Sequence, residues 1–104
     1  MQIVAFVGAL PRSEPGVVVG RQLLRSGTSI GANYREANRA ESQDDFAHKV
    51  AIAVKEAAET EYWLLLCERT ILGESTSVTT LKAENNELIA IRSTILRRAR
   101  GARP

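Results

Sequence analysis

Four arginines pose the first chemical question. Arg21, Arg25, Arg35 and Arg39 lie in one continuous stretch, and at about 100° per residue a helix holds them within roughly 40° of one line. Guanidinium groups in a row can follow a run of phosphates, each through paired N–H donors. The plainer reading is a solvated face, or arginines paired with acids on a neighbouring helix. The charge pattern favours the plainer one: residues 1–40 hold five basic and two acidic residues, 41–76 three and eight, and 77–104 six and two. Glu56 is the acid expected to meet an arginine such as Arg25, which fixes helix register at little net gain in stability. A second basic group, Arg97, Arg98, Arg100 and Arg103, closes the chain. It reads as a helix end that suits the negative pole of the helix dipole, with sequence-independent nucleic-acid affinity as the alternative.

The other reactive residues carry weaker signals. Asp45 and His48 stand one turn apart, but a di-metal bundle needs that pairing on two helices plus two further glutamates. This chain has a single histidine, so no metal site is expected. Glu56, Glu59 and Glu61 could act as paired carboxylates, yet no nucleophile, partner acid or phosphate-binding loop accompanies them. Tyr62 and Trp63 could stack a base; followed by Leu64, Leu65 and Leu66, they read instead as packing or a subunit contact. Cys67 is the only cysteine, so it forms no internal disulfide and reads as a small buried hydrophobe in a reducing, cytoplasmic setting. We expect no enzyme and no cofactor. Residues 1–10 are apolar but lack a charged leader region and stop at Pro11. No later run reaches the ~18 uncharged apolar residues of a membrane span.

The elements that must position these residues are helices. A chain of 104 residues with 44% hydrophobic and only 5% aromatic residues reads as one all-α domain, 1–104, with a marginal core. Apolar spacing predicts helices over 2–10, 14–38, 42–72 and 79–100. Ser13 and Ser42 are the expected N-caps and Gly73 the residue that ends the third helix. On the second helix Leu23, Ile30, Tyr34 and Ala37 oppose the arginines, and Gly20, Gly27 and Gly31 form a strip between, where another backbone is expected to approach closely. The third helix buries Phe46, Val50, Ala53, Ala57, Thr60, Leu64 and Ile71, and the fourth Leu81, Leu88, Ile91, Ile95 and Ala99. Short loops imply an antiparallel up-and-down four-helix bundle. Its short first helix leaves apolar surface uncovered, which points to an oligomer.

Two runs carry a resemblance. Gln22-Leu-Leu-Arg-Ser-Gly-Thr-Ser-Ile-Gly-Ala-Asn33, followed by Glu36 and Ser42, is one. Phe46-x-x-Lys49 with Lys55-Glu-Ala-x-Glu-Thr-Glu-Tyr-Trp-Leu64 is the other. Together they resemble the small bacterial four helix bundle family, also called the 23S ribosomal RNA intervening-sequence protein family, over about residues 3–100. The resemblance implies an antiparallel bundle that assembles into a ring, a homopentamer in known cases. It extends to the accessory protein of diversity-generating retroelements, a pentameric barrel that works with a reverse transcriptase and nucleic acid. No enzymatic activity is implied. RNA or DNA is the suggested ligand, through Arg21, Arg25, Arg35 and Arg39, and another protein is the alternative partner. The family's first helix is usually longer, and Met1 falls part-way along it, so a late start or a truncation is expected.

Overall fold

The computed structural model describes residues 2–70 and 72–101, with the side chains of residues 96 and 99–101 left out. Ile71 of the third-helix stripe, Arg103 and the side chains of Ala99 and Arg100 therefore lie outside the described residues. Four helices follow one another: α1 (Gln2–Gly8), α2 (Glu14–Ala37), α3 (Gln43–Thr70) and α4 (Ser75–Gly101). No described helix is long and apolar enough to cross a membrane.

The helix ends follow from their capping chemistry. The Ser13 hydroxyl accepts from the Gly16 N–H at 3.3 Å, with Pro15 in the first turn of α2. Ser42 does the same for the Asp45 N–H at 3.0 Å. Each satisfies one of the four donors that a helix start leaves unpaired. Gly73 leaves α3 at φ +81°, and a Cβ there would lie 2.6 Å from the Phe6 ring. Both the left-handed backbone and the contact with α1 therefore exclude a side chain. α4 begins four residues earlier than its periodicity predicts. The Glu74 carbonyl accepts from the Val78 N–H at 3.0 Å, and the Glu74 carboxylate accepts from the Ser77 hydroxyl at 2.7 Å. Val78 is thereby drawn into the core.

Each helix runs antiparallel to the next. Ile3 meets Gly27 and Val7 meets Gly20 along α1 and α2. Along α3 and α4, Glu68 pairs with Lys82 and the Ala57 carbonyl accepts from Asn85. α1 packs on α2 and α4, and α3 packs on the same two helices from the other side. The main core sits near the α1–α2 turn, where Phe6, Leu10, Val19, Leu23, Leu64, Cys67 and Val78 from all four helices meet. Further along, α2 and α3 are joined by a buried hydroxyl pair. Thr60 Oγ1 lies 2.8 Å from Ser26 Oγ and 2.9 Å from the Glu56 carbonyl oxygen. A hydroxyl has one proton to give. With the Thr60 proton on the carbonyl, Ser26 supplies the proton of the hydroxyl–hydroxyl bond.

Two packing expectations need correction. The glycine strip of α2 receives the side chains of α1 rather than a backbone. A Cβ at Gly27 would stand 3.0 Å from Ile3, and one at Gly20 3.3 Å from Val7, while Gly31 has nothing within 4 Å. The inward line of α4 is also rotated from the predicted seam. Val78, Asn85 and Arg92 are buried, whereas Leu88 and Ile91 are 39% and 50% exposed. Positions 78, 85 and 92 share a seven-residue spacing with 81, 88 and 95, so periodicity offered two adjacent lines. The apolar line was the natural choice, but the buried one carries the Asn85 amide, which bonds the Ala57 carbonyl, and the Arg92 guanidinium, which lies over the Tyr34 ring.

The glycines make a test. Gly31→Ala removes backbone freedom from a helix interior without a new contact, and is expected to stabilise by about 1 kcal/mol. Gly27→Ala gains the same propensity but presses on Ile3, so its gain should be smaller or reversed. Urea denaturation of the two variants beside the native chain measures both. Equal gains would show that α1 does not rest on Gly27.

Candidate nucleic-acid interface

The outward face of α2 carries Arg21, Arg25 and Arg35, whereas Arg39, predicted on the same helical line, stands in the turn two residues past the end of the helix at Ala37; all four are exposed. They do not form one uniform row. Arg25 Nη1 lies 3.1 Å from Glu56 Oε2, its Nη2 bonds Glu59 Oε1, and its Nε donates to Gln22 Oε1 at 3.4 Å. Arg25 thus spans from α2 to two acids of α3. Glu59 also accepts from the Trp63 indole N–H at 3.3 Å. The hydrogen bond that Arg25 donates to Glu59 holds the Arg25 pKa above its usual value, opposed by partial desolvation. Reciprocally, hydrogen bonds from Arg25 first and Trp63 second pull the Glu59 carboxyl below its usual range.

Arg21, Arg35 and Arg39 make no ion pair or side-chain hydrogen bond among the described residues. Fourteen residues of helix separate Arg21 from Arg35, about 21 Å at 1.5 Å per residue. Because α2 and α4 both oppose α3, they run parallel. Arg35 and Arg39 therefore share an end of the bundle with Arg97 and Arg98, which are also exposed. That end also holds Glu36, Glu41, Asp44 and Asp45, so its charge is mixed. The pairing of Arg25 with Glu56 matches the sequence reading. Glu59 as second acceptor was missed, although Glu56 and Glu59 are three residues apart and so share a helix face.

The remaining candidates fall outside this face. His48 is exposed on α3, one turn from Asp45. Among the described residues no three His, Cys, Asp or Glu side chains converge to hold a metal ion. Cys67 is buried in the core, and burial pushes its thiol pKa up. Tyr62 is 57% exposed and meets Trp63 edge to face, with ring centroids 4.9 Å apart. Trp63 is partly buried and packs against the core cluster. Arg92 was not singled out by its sequence context, yet it is one of four buried polar residues among those described.

Fold and site together define a small helical-bundle protein with a basic helix face, one of whose arginines is an internal clamp. The chain belongs to the 23S rRNA-intervening sequence protein family, whose model matches residues 1–94. A solved structure of similar fold is that of a protein with unknown function from the S23 ribosomal protein family of Bacteroides thetaiotaomicron VPI-5482. It is 46% identical, covers 76% of this chain and 73% of its own, and superposes with a TM-score of 0.73. Among proteins with curated descriptions none matches.

The clamp gives a pH signature. A carboxyl whose folded pKa is depressed adds stability above its unfolded pKa and loses it as pH falls through the folded value. Glu59→Gln should therefore melt below the native chain at neutral pH. The gap should narrow once pH drops below about 4.3, the ordinary glutamate value, and close when both forms are protonated. Thermal melts of both chains from pH 7 to 2.5 measure this, and a pH-independent gap would remove the charge from the account.

Proposed function

We propose that this chain is a non-enzymatic, cytoplasmic helical-bundle module that assembles into a ring, a homopentamer in first expectation, and binds nucleic acid electrostatically. Arg21, Arg35 and Arg39 make the phosphate contacts, and Arg25 holds the helix that presents them. The observation that carries this reading is the contrast within one stripe. Arg25 is consumed by two acids of α3, while Arg21 and Arg35 on the helix and Arg39 just past its end have none among the described residues. Three phosphate contacts per chain give a log–log salt slope of about −2.7 and weak affinity alone. Repetition around a ring raises the total through multivalency without new contacts.

A second reading, a structural or adaptor oligomer whose ligand is another protein, rests on a different observation. Val17, Val18 and Leu24 are 41%, 50% and 39% exposed on α2 around Arg21. An apolar rim around a guanidinium suits a protein contact better than a phosphate.

The test is binding of duplex DNA, structured RNA and single strands at low and moderate salt, with light scattering on the same samples. The comparison is a variant carrying Arg21→Glu, Arg35→Glu and Arg39→Glu, with helicity checked by circular dichroism. Salt-sensitive binding that disappears in the folded variant supports the nucleic-acid reading. Unchanged binding in the variant contradicts it. No binding to any strand by an assembled native protein moves the function to a protein partner.

A further inference from the structure

One face of α2 is complementary to itself. Glu14 and Arg21 stand seven residues apart on one outward line, two turns and about 10.5 Å along the helix. Val17 and Val18 lie between them, one to each side of that line, and are 41% and 50% exposed. Leu24, 39% exposed, continues the face beyond Arg21. α1 seats on one flank of α2, at Gly20 and Gly27, and α3 takes Ser26 on the other. The face from Glu14 to Leu24 is turned away from both.

Glu14 and Arg21 are both exposed, and neither makes an ion pair among the described residues. They are too far apart to meet within one chain, where paired charges on a helix sit three or four residues apart. The order acid, valine, valine, base becomes base, valine, valine, acid when the helix is reversed. A second α2 laid antiparallel, with a two-fold axis between Val17 and Val18, therefore sets Glu14 opposite Arg21 of the partner subunit. By symmetry Arg21 meets Glu14 of the partner subunit, and the valines of both copies fill the middle. The same register brings Leu24 of the partner subunit opposite position 11. A hollow of about 200 Å³ opens there, lined by Leu10, Pro11 and Val17 among others.

We propose that this face of α2 docks a second copy of the chain, α2 against α2 in antiparallel register, with Glu14 and Arg21 paired across the axis. Such a contact is isologous, so one patch serves both sides. The valines and Leu24 supply apolar area, and the two charge pairs fix direction and register. The contact needs neither nucleic acid nor a foreign protein. It bears on one arginine of the stripe: a phosphate and Glu14 of the partner subunit compete for Arg21, while Arg35 and Arg39 lie beyond the contact.

The test is sedimentation of the native chain and of two single reversals, Glu14→Arg and Arg21→Glu, at low salt, with helicity checked by circular dichroism. Each reversal sets like charges opposite one another at both ends of the contact. Each should halve the native mass, whether the contact joins two chains or two rings. Mixed in equal amounts, the two variants should recover the native mass, because every like pair becomes an opposite pair. Glu14 also suits the positive end of the helix dipole, so recovery in the mixture decides, rather than the effect of Glu14→Arg alone. A native mass that neither reversal changes overturns the pairing, as does a mixture that stays at the halved mass. Halving by Arg21→Glu alone assigns Arg21 to another acid and overturns the register. A native monomer overturns the contact itself.

Discussion

The close seating of α1 on the side-chain-free strip of α2 is the constraint from which the rest follows. With Ile3 over Gly27 and Val7 over Gly20, that flank of α2 has no room for bulk. Leu23 and Ser26, both 0% exposed, are then turned to α3 and the core. One helix thus serves three surroundings at once: small residues for α1, a buried line for α3, and arginines for solvent. Glycines in a helix interior each cost about 1 kcal/mol against alanine. The contact with α1 offsets that cost at Gly20 and Gly27 but not at Gly31.

Polar pairs fix the register that apolar packing alone leaves loose. Ser26 with Thr60, and Arg25 with Glu56 and Glu59, join α2 to α3 within one turn. The Asn85 amide does the same between α4 and the Ala57 carbonyl, 2.8 Å apart. Small residues, Ala53 and Ala57 at 0% exposure, let the helices approach closely enough for these bonds to form. Such bonds add little net stability individually, but a slip of one turn would leave Ser26, Thr60 and Asn85 buried without their partners. The same logic makes Arg92 stand apart, because among the described residues it alone of the buried polar ones keeps an unpaired side-chain atom.

Much of this was legible in the sequence, for physical reasons. The three faces of α2 were readable because a regular helix converts spacing directly into angle. Ser13, Ser42 and Gly73 were readable because cap chemistry is local. The Arg25–Glu56 pair followed from opposite charge on adjacent helices. The α4 seam was not legible, because Leu88 and Ile91 fit an inward line by hydropathy alone. Which line turned inward depended on what Asn85 and Arg92 found across the bundle, and that is a tertiary fact. The start of α4 escaped for a related reason: the polar run before Thr79 looks like a loop until Val78 is seen against the core. Family membership came from two motif runs rather than from chemistry, and it fixes the fold more firmly than the role.

The proposed function divides the four arginines into one, Arg25, that joins α2 to α3, and three that would meet a ligand. The direct measurement follows the four Nε–Hε resonances by nuclear magnetic resonance while duplex DNA or structured RNA is added at low salt. The account predicts that Arg21, Arg35 and Arg39 shift, that the shifts recede with added salt, and that Arg25 stays in place, held by Glu56 and Glu59. Shifts led by Arg25, or none at any arginine while nucleic acid binds elsewhere, would contradict it.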